Sequence, residues 1–306
     1  MADFRLSTPV AFIIFNRPDT TARVFAEIAK AKPPKLLVIA DGPRANRVGE
    51  AERVAETRAI IEQVDWDCEV LTNFSASNLG CRNRVSSGID WVFEQVPEAI
   101  ILEDDCLPDP TFFRFCEEML ERYRDNERVA MISGDNFLFG SAEIVDSYYF
   151  SRYNHIWGWA SWRRAWRRYD RNASQWPSFL QENRLEKLFR DGAERRYWRA
   201  AFEGVHSGRI DTWDYQWVLT AFVYEMVSIM PERNLISNIG FGEGATHTTG
   251  ASVFANMATG PLRFPLRHPR DVRVNSVADE LTARLHFRAP LWKLVARKVR
   301  NLLLGH

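Results

Sequence analysis

Much is missing from this chain, and each gap closes off a class of function. Of its 306 residues only four are cysteine, Cys68, Cys81, Cys106 and Cys116. None are spaced as CxxC, and no Cys/His cluster has zinc spacing. Free thiols in a cytosolic chain are the simple expectation. Neither sign of charge is in excess: 40 basic and 40 acidic residues give a net of +0. No basic field covers the molecule, so no nucleic-acid partner is expected. No apolar run approaches the ~20 residues that span a bilayer. The opening "MADFRLSTPVAFIIFNRPD" lacks a basic n-region and its apolar stretch is strand-length, so it reads as a strand rather than a signal peptide. A GxxxxGKS/T phosphate loop, a GxGxxG after the first strand, a GxSxG elbow and the kinase motifs are all absent.

What the chain has is length enough for one large domain or two small ones, and a patterned first half. "VAFIIF" (Val10–Phe15), "KLLVIAD" (Lys35–Asp41), "EVLTNF" (Glu69–Phe74), "AIILEDD" (Ala99–Asp105) and "VAMISG" (Val129–Gly134) are β-branched or continuously apolar. Such runs suit strands buried on both faces. Between them, Thr20–Ala31, Glu50–Gln63, Arg82–Gln95 and Pro110–Tyr123 have helical patterning, the last with Asp109 as N-cap. Strand and helix alternating four times predict an α/β fold, Rossmann-like and mostly parallel, with helices on the sheet's faces.

In such sheets ligands bind outside the carboxyl ends of the strands. Polar clusters fall at those ends: Asn16-Arg17, Asp41-Gly42-Pro43, Asn73 with Asn78-Leu79-Gly80, Glu103-Asp104-Asp105, and Asp135-Asn136. Any one of them reads equally as turn chemistry. Five at one rim predict a site.

The second half is rich in Trp, Tyr and Arg from Tyr148 to Trp217, with helices expected over Trp159–Tyr169, Arg184–Val205 and Trp213–Val227. Trp157, Trp159 and Trp162 read either as platforms for sugar faces or as core. The organisation expected is a domain over 1–250, divided at 135/136 into a nucleotide-binding and an acceptor half. An extended strap over 251–287 and a C-terminal helix over 288–306 follow. That helix places Leu291, Val295, Val299, Leu302 and Leu303 on one face, with Arg288, Lys293, Arg297, Lys298 and Arg300 supplying charge. It reads as a contact for a membrane surface or acidic partner, or as a helix docked on its own domain.

The acids of "AIILEDDCLPDPTFFRF" carry the chemistry. Alternation along a strand turns Glu103 and Asp105 one way and Asp104 the other. Carboxylates held together at a cleft call for positive charge, and a hard divalent cation, Mn²⁺ or Mg²⁺, takes oxygen ligands and shares a diphosphate. Helix capping is the plainer reading, and Asp109 sits better for that role.

These residues resemble GT-A fold glycosyltransferases, in particular the N-acetylglucosaminyltransferase I type. "IILEDDCLPDPTFFRF" is similar to that group's DxD-type motif, and Arg17, Asp41, "VAMISGDN", "HIWGWASW" and "TWDYQW" fall in similar order from Pro9 to Gly250. The resemblance implies Asp105 as metal ligand, Asp104 at a ribose and Glu103 nearby. It implies Asp41 at the nucleotide base and Arg17 near the phosphates. Asp214 would be the general base, but Tyr215 stands where the group has a second acid, and Asp211 is the fallback. His247 is the late residue near the metal, Arg82 a donor contact, and Asp135, Asn136, Trp157 and Trp159 are on the acceptor side. Asp214 reads also as a helix cap.

The implied activity is inverting transfer from a nucleotide-diphosphate sugar to a glycan or lipid-linked acceptor, in the cytoplasm at an inner membrane surface. A sugar nucleotidyltransferase would also use paired acids and a metal, but should open with a Gly-rich basic loop where "NRPDTTARV" has no glycine. A non-catalytic sugar-nucleotide-binding protein is the third alternative.

Overall fold

The computed structural model describes residues 4–241 and 254–288. The first half contains β1 (Val10–Ile14), α1 (Pro18–Ala31), β2 (Lys35–Ala40), α2 (Glu50–Ala59), β3 (Glu69–Phe74), α3 (Gly80–Gln95), β4 (Glu98–Glu103), β5 (Cys106–Pro108), α4 (Thr111–Arg122) and β6 (Val129–Ser133). There follow β7 (Tyr148–Ser151), β8 (Trp159–Trp162), α5 (Arg163–Trp166), α6 (Trp176–Gln181), α7 (Arg184–Leu188), α8 (Gly192–His206), α9 (Asp214–Val223), β9 (Val227–Pro231), β10 (Ile236–Asn238) and α10 (Ser276–Thr282).

Eight strands form one sheet in the order β3-β2-β1-β4-β8-β6-β9-β7. The ladders β3-β2, β2-β1, β1-β4 and β6-β9 are parallel, whereas β8 runs against both its neighbours and β7 against β9. The sheet is therefore mostly parallel, as the alternating pattern predicts. Continuous apolar strands work here because both faces are covered, except in β3, which lies at the sheet edge and is largely exposed against expectation. Val10, Phe12 and Ile14 of β1 pack with α1 and α4, through Val24, Phe25, Ile28, Phe112 and Phe115. Ala11 and Ile13 face α3, through Val85, Ile89 and Phe93. Each large side chain so buried contributes roughly 1.5–3 kcal/mol.

The second half builds its own aromatic core, with Trp176, Phe179, Phe189, Trp198, Phe202 and Phe222 packed between α6, α8 and α9. Three expectations change here. Trp159–Trp162 is a strand, not the start of a helix: it hydrogen-bonds between β4 and β6. The helix expected over Arg184–Val205 is broken into α7 and α8, the second capped by Asp191, whose carboxylate accepts from the N–H groups of Ala193 and Glu194. The strap is irregular from Phe254 to Asn275 and then turns helical in α10. It is tied down along its length. Leu262 N–H donates to Thr111 Oγ1, Arg267 N–H to Ser147 Oγ, and Asp279 accepts from Ser151 and Arg152. Arg288, the first residue of the expected terminal helix, is ion-paired to Glu280 and Glu194; 289–306 lie outside the described residues. Among the described residues no helix is long and apolar enough to cross a membrane.

Candidate active site

Strand register assembles the rim. Ile14 pairs with Ala40 and Ile13 with Glu103, so the residues following β1 and β2 and the acids ending β4 emerge at one level. Because β8 is antiparallel, its beginning rather than its end lies there, which brings Ile156 and Trp157 to the same place. Between these loops is a cleft of about 430 Å³ walled by Phe15, Arg17, Glu103, Asp104, Asp105 and, opposite in sequence, Asp211 to Asp214.

The strand ends at Glu103, and Asp104 and Asp105 occupy the turn into β5. That turn overrides strand alternation: Asp104 and Asp105 converge on one guanidinium instead of diverging. Arg17 Nη2 is 2.7 Å from Asp104 Oδ1, and Nη1 is 2.8 Å from Asp105 Oδ2. Asp104, 2% exposed, also accepts from Phe15 N–H at 3.1 Å. Its oxygens thus anchor Arg17 and the end of β1. Burial opposes the charge on Arg17, but Asp104 and Asp105 outweigh it and its pKa is raised. Glu103 is raised by burial, then by the charges of Asp105 and Asp104, with Arg17 offsetting only part. Asp104 is raised by burial, against the pull of Arg17.

The chain after β10 closes over this pair. β10 pairs antiparallel with β5, and Ile239 N–H donates to Asp105 O at 2.8 Å. A Cβ at Gly240 would stand 2.1 Å from Asp105 Oδ2, so only glycine allows the approach.

Asp41 walls the cleft too, but its carboxylate is used by the backbone. Oδ1 accepts from Gly42 and Leu79 N–H, and Oδ2 from Leu79 and Gly80 N–H. It holds the loop that starts α3, where Gly80 adopts φ +78°. Arg82 does not wall the cleft, whereas Arg84 does, its Nη2 donating to Asn73 O and Oδ1 at 2.6 and 2.8 Å.

Asp214 is the first residue of α9 and accepts from Thr212 Oγ1. It walls this cleft and a second one of about 340 Å³ beside it, and its charge reaches Glu103. Asp211 is exposed at the mouth of the first cleft. Trp157 walls both clefts. Trp159 walls neither: 1% exposed, it packs against Trp213, Trp166 and Trp217 at ring separations of 5.6, 6.0 and 6.3 Å. The sugar platform expected of it is therefore core. Asn136 is also structural, its amide donating to Pro231 O and Glu232 O while its oxygen accepts from Leu138 N–H. Asp135 walls the second cleft, fully buried. His247 lies outside the described residues. Sequence reasoning missed Asn238, Gly240, Phe241, Phe254 and His286, because no local signal marks residues that reach a site only through a distant turn of chain.

No family model matches the chain, and no curated protein matches it. Solved structures similar to it include a cytidylyltransferase from Leptospira borgpetersenii, 10% identical over 62% of this chain and 68% of that one, with a TM-score of 0.30. An inositol-1-phosphate CTP transferase from T. maritima is 7% identical over 74% and 86%, at 0.35. Mouse xyloside xylosyltransferase 1 is 10% identical over 72% and 84%, at 0.34. Likeness this distant carries no argument about activity.

Proposed function

We propose that this protein transfers a sugar from a nucleotide-diphosphate donor to an acceptor hydroxyl, with inversion at the anomeric carbon. The observation that carries the reading is one cleft, at the carboxyl ends of parallel strands, with two acidic sides. Glu103, Asp104 and Asp105 stand around a single arginine, and Asp214 begins a helix across from them.

Three carboxyl groups against one guanidinium leave negative charge that a divalent cation can neutralise, and the donor set is all oxygen, as Mn²⁺ and Mg²⁺ prefer. Among the described residues no three His, Cys, Asp or Glu side chains converge to hold a metal ion. A cation would thus have one or two protein ligands, Asp105 first, and complete its shell from water and diphosphate oxygens. When bound, it offsets charge on the departing diphosphate.

The chain's own residues do the rest. Arg17, fixed by Asp104 and Asp105, is the permanent cation beside the diphosphate. Asp214 takes the acceptor hydroxyl's proton as that oxygen bonds to the anomeric carbon and the bond to the diphosphate oxygen breaks. Transfer to a glycan or lipid-linked acceptor at a bacterial inner-membrane surface suits the basic segment 288–306.

The test is release of nucleoside diphosphate from a panel of nucleotide sugars with Mn²⁺ and glycoside acceptors. Asp105→Ala should lower it by roughly 10²–10³-fold; an unchanged rate would remove the metal-site assignment. Pyrophosphate release from a nucleoside triphosphate and a sugar 1-phosphate would point instead to a nucleotidyltransferase, and a retained anomeric configuration would exclude the role of Asp214.

A further inference from the structure

The second cleft differs in kind from the first. Its walls are aromatic, from Phe137, Trp157, Tyr197, Tyr215, Phe254 and Phe287. Phe137 lies 5.2 Å from both Trp157 and Phe254, and Phe254 lies 4.7 Å from His286, ring centre to ring centre. Phe254, His286 and Phe287 come from the strap and the helical segment after it, so the end of the described chain supplies one wall of this cleft.

We propose that this chamber holds one uncharged pyranose ring of the acceptor, with a ring hydroxyl on the buried carboxyl of Asp135 and the ring's C–H face on the aromatic wall. The inference rests on the transfer reading above.

Asp135 Oδ2 accepts from Trp157 N–H at 3.0 Å, which fixes the carboxyl group. Its Oδ1 is buried without a partner among the described residues. A buried polar atom left unpaired is costly, and Asp135 lines the cleft, so a polar group brought to its carboxyl would be held. A hydroxyl both donates and accepts, so it completes Asp135 whether or not the carboxyl carries a proton.

The surroundings select against negative charge. Burial raises Asp135 well above the usual carboxylate range. His155 is pushed down to about 3 by burial and by His286, and His286 is itself lowered by burial. Neutral imidazoles offer no cation to a phosphate or carboxylate; the charged group on the walls is the Asp214 carboxylate, shared with the first cleft. An alkyl chain would leave Asp135 Oδ1 unpaired. A sugar has both an apolar face and hydroxyls, which is what aromatic walls with few polar groups accept. Ile156, Trp157 and Asp214 wall both chambers, so a ring seated here lies beside the proposed base.

The test uses the full chain and saturation-transfer NMR. The ligands are methyl β-D-glucopyranoside, methyl β-D-galactopyranoside and methyl N-acetyl-β-D-glucosaminide, set against glucose 6-phosphate, choline and cyclohexanol, with and without UDP and Mn²⁺. At least one methyl glycoside should bind in preference to the three comparison compounds. Asp135→Ala should weaken it at least about tenfold, and Asp135→Asn, which keeps shape and a hydrogen-bonding group, by less. Phe254→Ala should also weaken it, and serves if Asp135→Ala fails to fold.

No glycoside binding, equal binding by Asp135→Ala and Phe254→Ala, or preference for the charged or hydroxyl-poor compounds would overturn the proposal. Transfer activity without glycoside binding keeps the transfer reading and removes this one. Asp135-dependent glycoside binding without donor binding or transfer does the reverse.

Discussion

The two chambers both bury carboxyl groups and treat them in opposite ways. In the first, three acids crowd around Arg17, and two of them hold it in direct ion pairs. In the second, Asp135 has no ion pair among the described residues and is met by one backbone N–H. Concentrated charge with a built-in cation suits an ionic ligand whose own charge changes during reaction. An isolated carboxyl among rings suits a neutral one. Asp214, on the wall between them, is where the two environments meet.

The largest effect should come from that shared residue. Asp214→Asn should lower turnover by about 10²–10⁴-fold, the usual contribution of a general base, while nucleotide affinity stays near its original value. Asp211→Asn, exposed at the mouth, should change turnover little. If Asp211→Asn is the damaging change instead, the base is misassigned and the boundary between the chambers lies elsewhere.

Trp159→Ala separates core from site. The side chain is buried in a cluster of tryptophans, so its loss should cost about 3–5 kcal/mol in denaturant unfolding. Residual folded protein should keep the ligand affinity of the wild type. Affinity lost out of proportion to the folded fraction would return Trp159 to the site.

Gly240→Ala perturbs only the ionic chamber. The added Cβ would lie 2.1 Å from Asp105 Oδ2 and 2.5 Å from Arg17 Nη1, prising the ion pair apart. Nucleotide affinity with Mn²⁺ should fall about tenfold, the scale of one charged hydrogen bond, and glycoside binding should not. Calorimetry on both ligands reads the difference.

The smallest effect is a pH slope from the aromatic chamber. The folded state holds His155 down at about 3, against 6.5 for the free side chain. Below 6.5 the unfolded chain therefore binds a proton that the folded one refuses, so stability from this group is complete above 6.5 and falls as pH drops toward 3. Asp135 acts the other way: its raised pKa keeps a proton on the folded state and removes stability as pH rises above 3.8. His155→Phe should leave the difference in unfolding free energy from the wild type flat above neutrality and shift it in the variant's favour as pH falls below 6.5. A difference independent of pH would show that His155 is not held neutral by burial.

Sequence pattern reached far in the first half and little way into the second. Apolar runs with helices between them specify a parallel sheet because each strand must be covered on both faces, and in such a sheet the residues after strand ends share a rim. Arg17, Glu103, Asp104 and Asp105 were therefore legible as a group before any distance was known, whereas Asp214 came only with the resemblance. Trp159 was not. "WASW" is aromatic and short, and nothing local distinguishes a strand inserted antiparallel between β4 and β6 from the first turn of a helix.

What the amino-acid sequence by itself determined, then, is the parallel strands of the first half, their helices and the acidic rim, because hydrophobic periodicity and turn chemistry are local properties. Only the tertiary structure decided what each rim side chain touches. It gave Asp41 to a backbone loop, turned Asp104 onto Arg17, moved the cleft arginine from Arg82 to Arg84, and buried Asp135 without a cation. It also brought Phe254 and His286 across to wall the second chamber. The physical reason is that a carboxyl group's role depends on which donors, charges and waters surround it in space, and those neighbours come from chain segments that no sequence window contains.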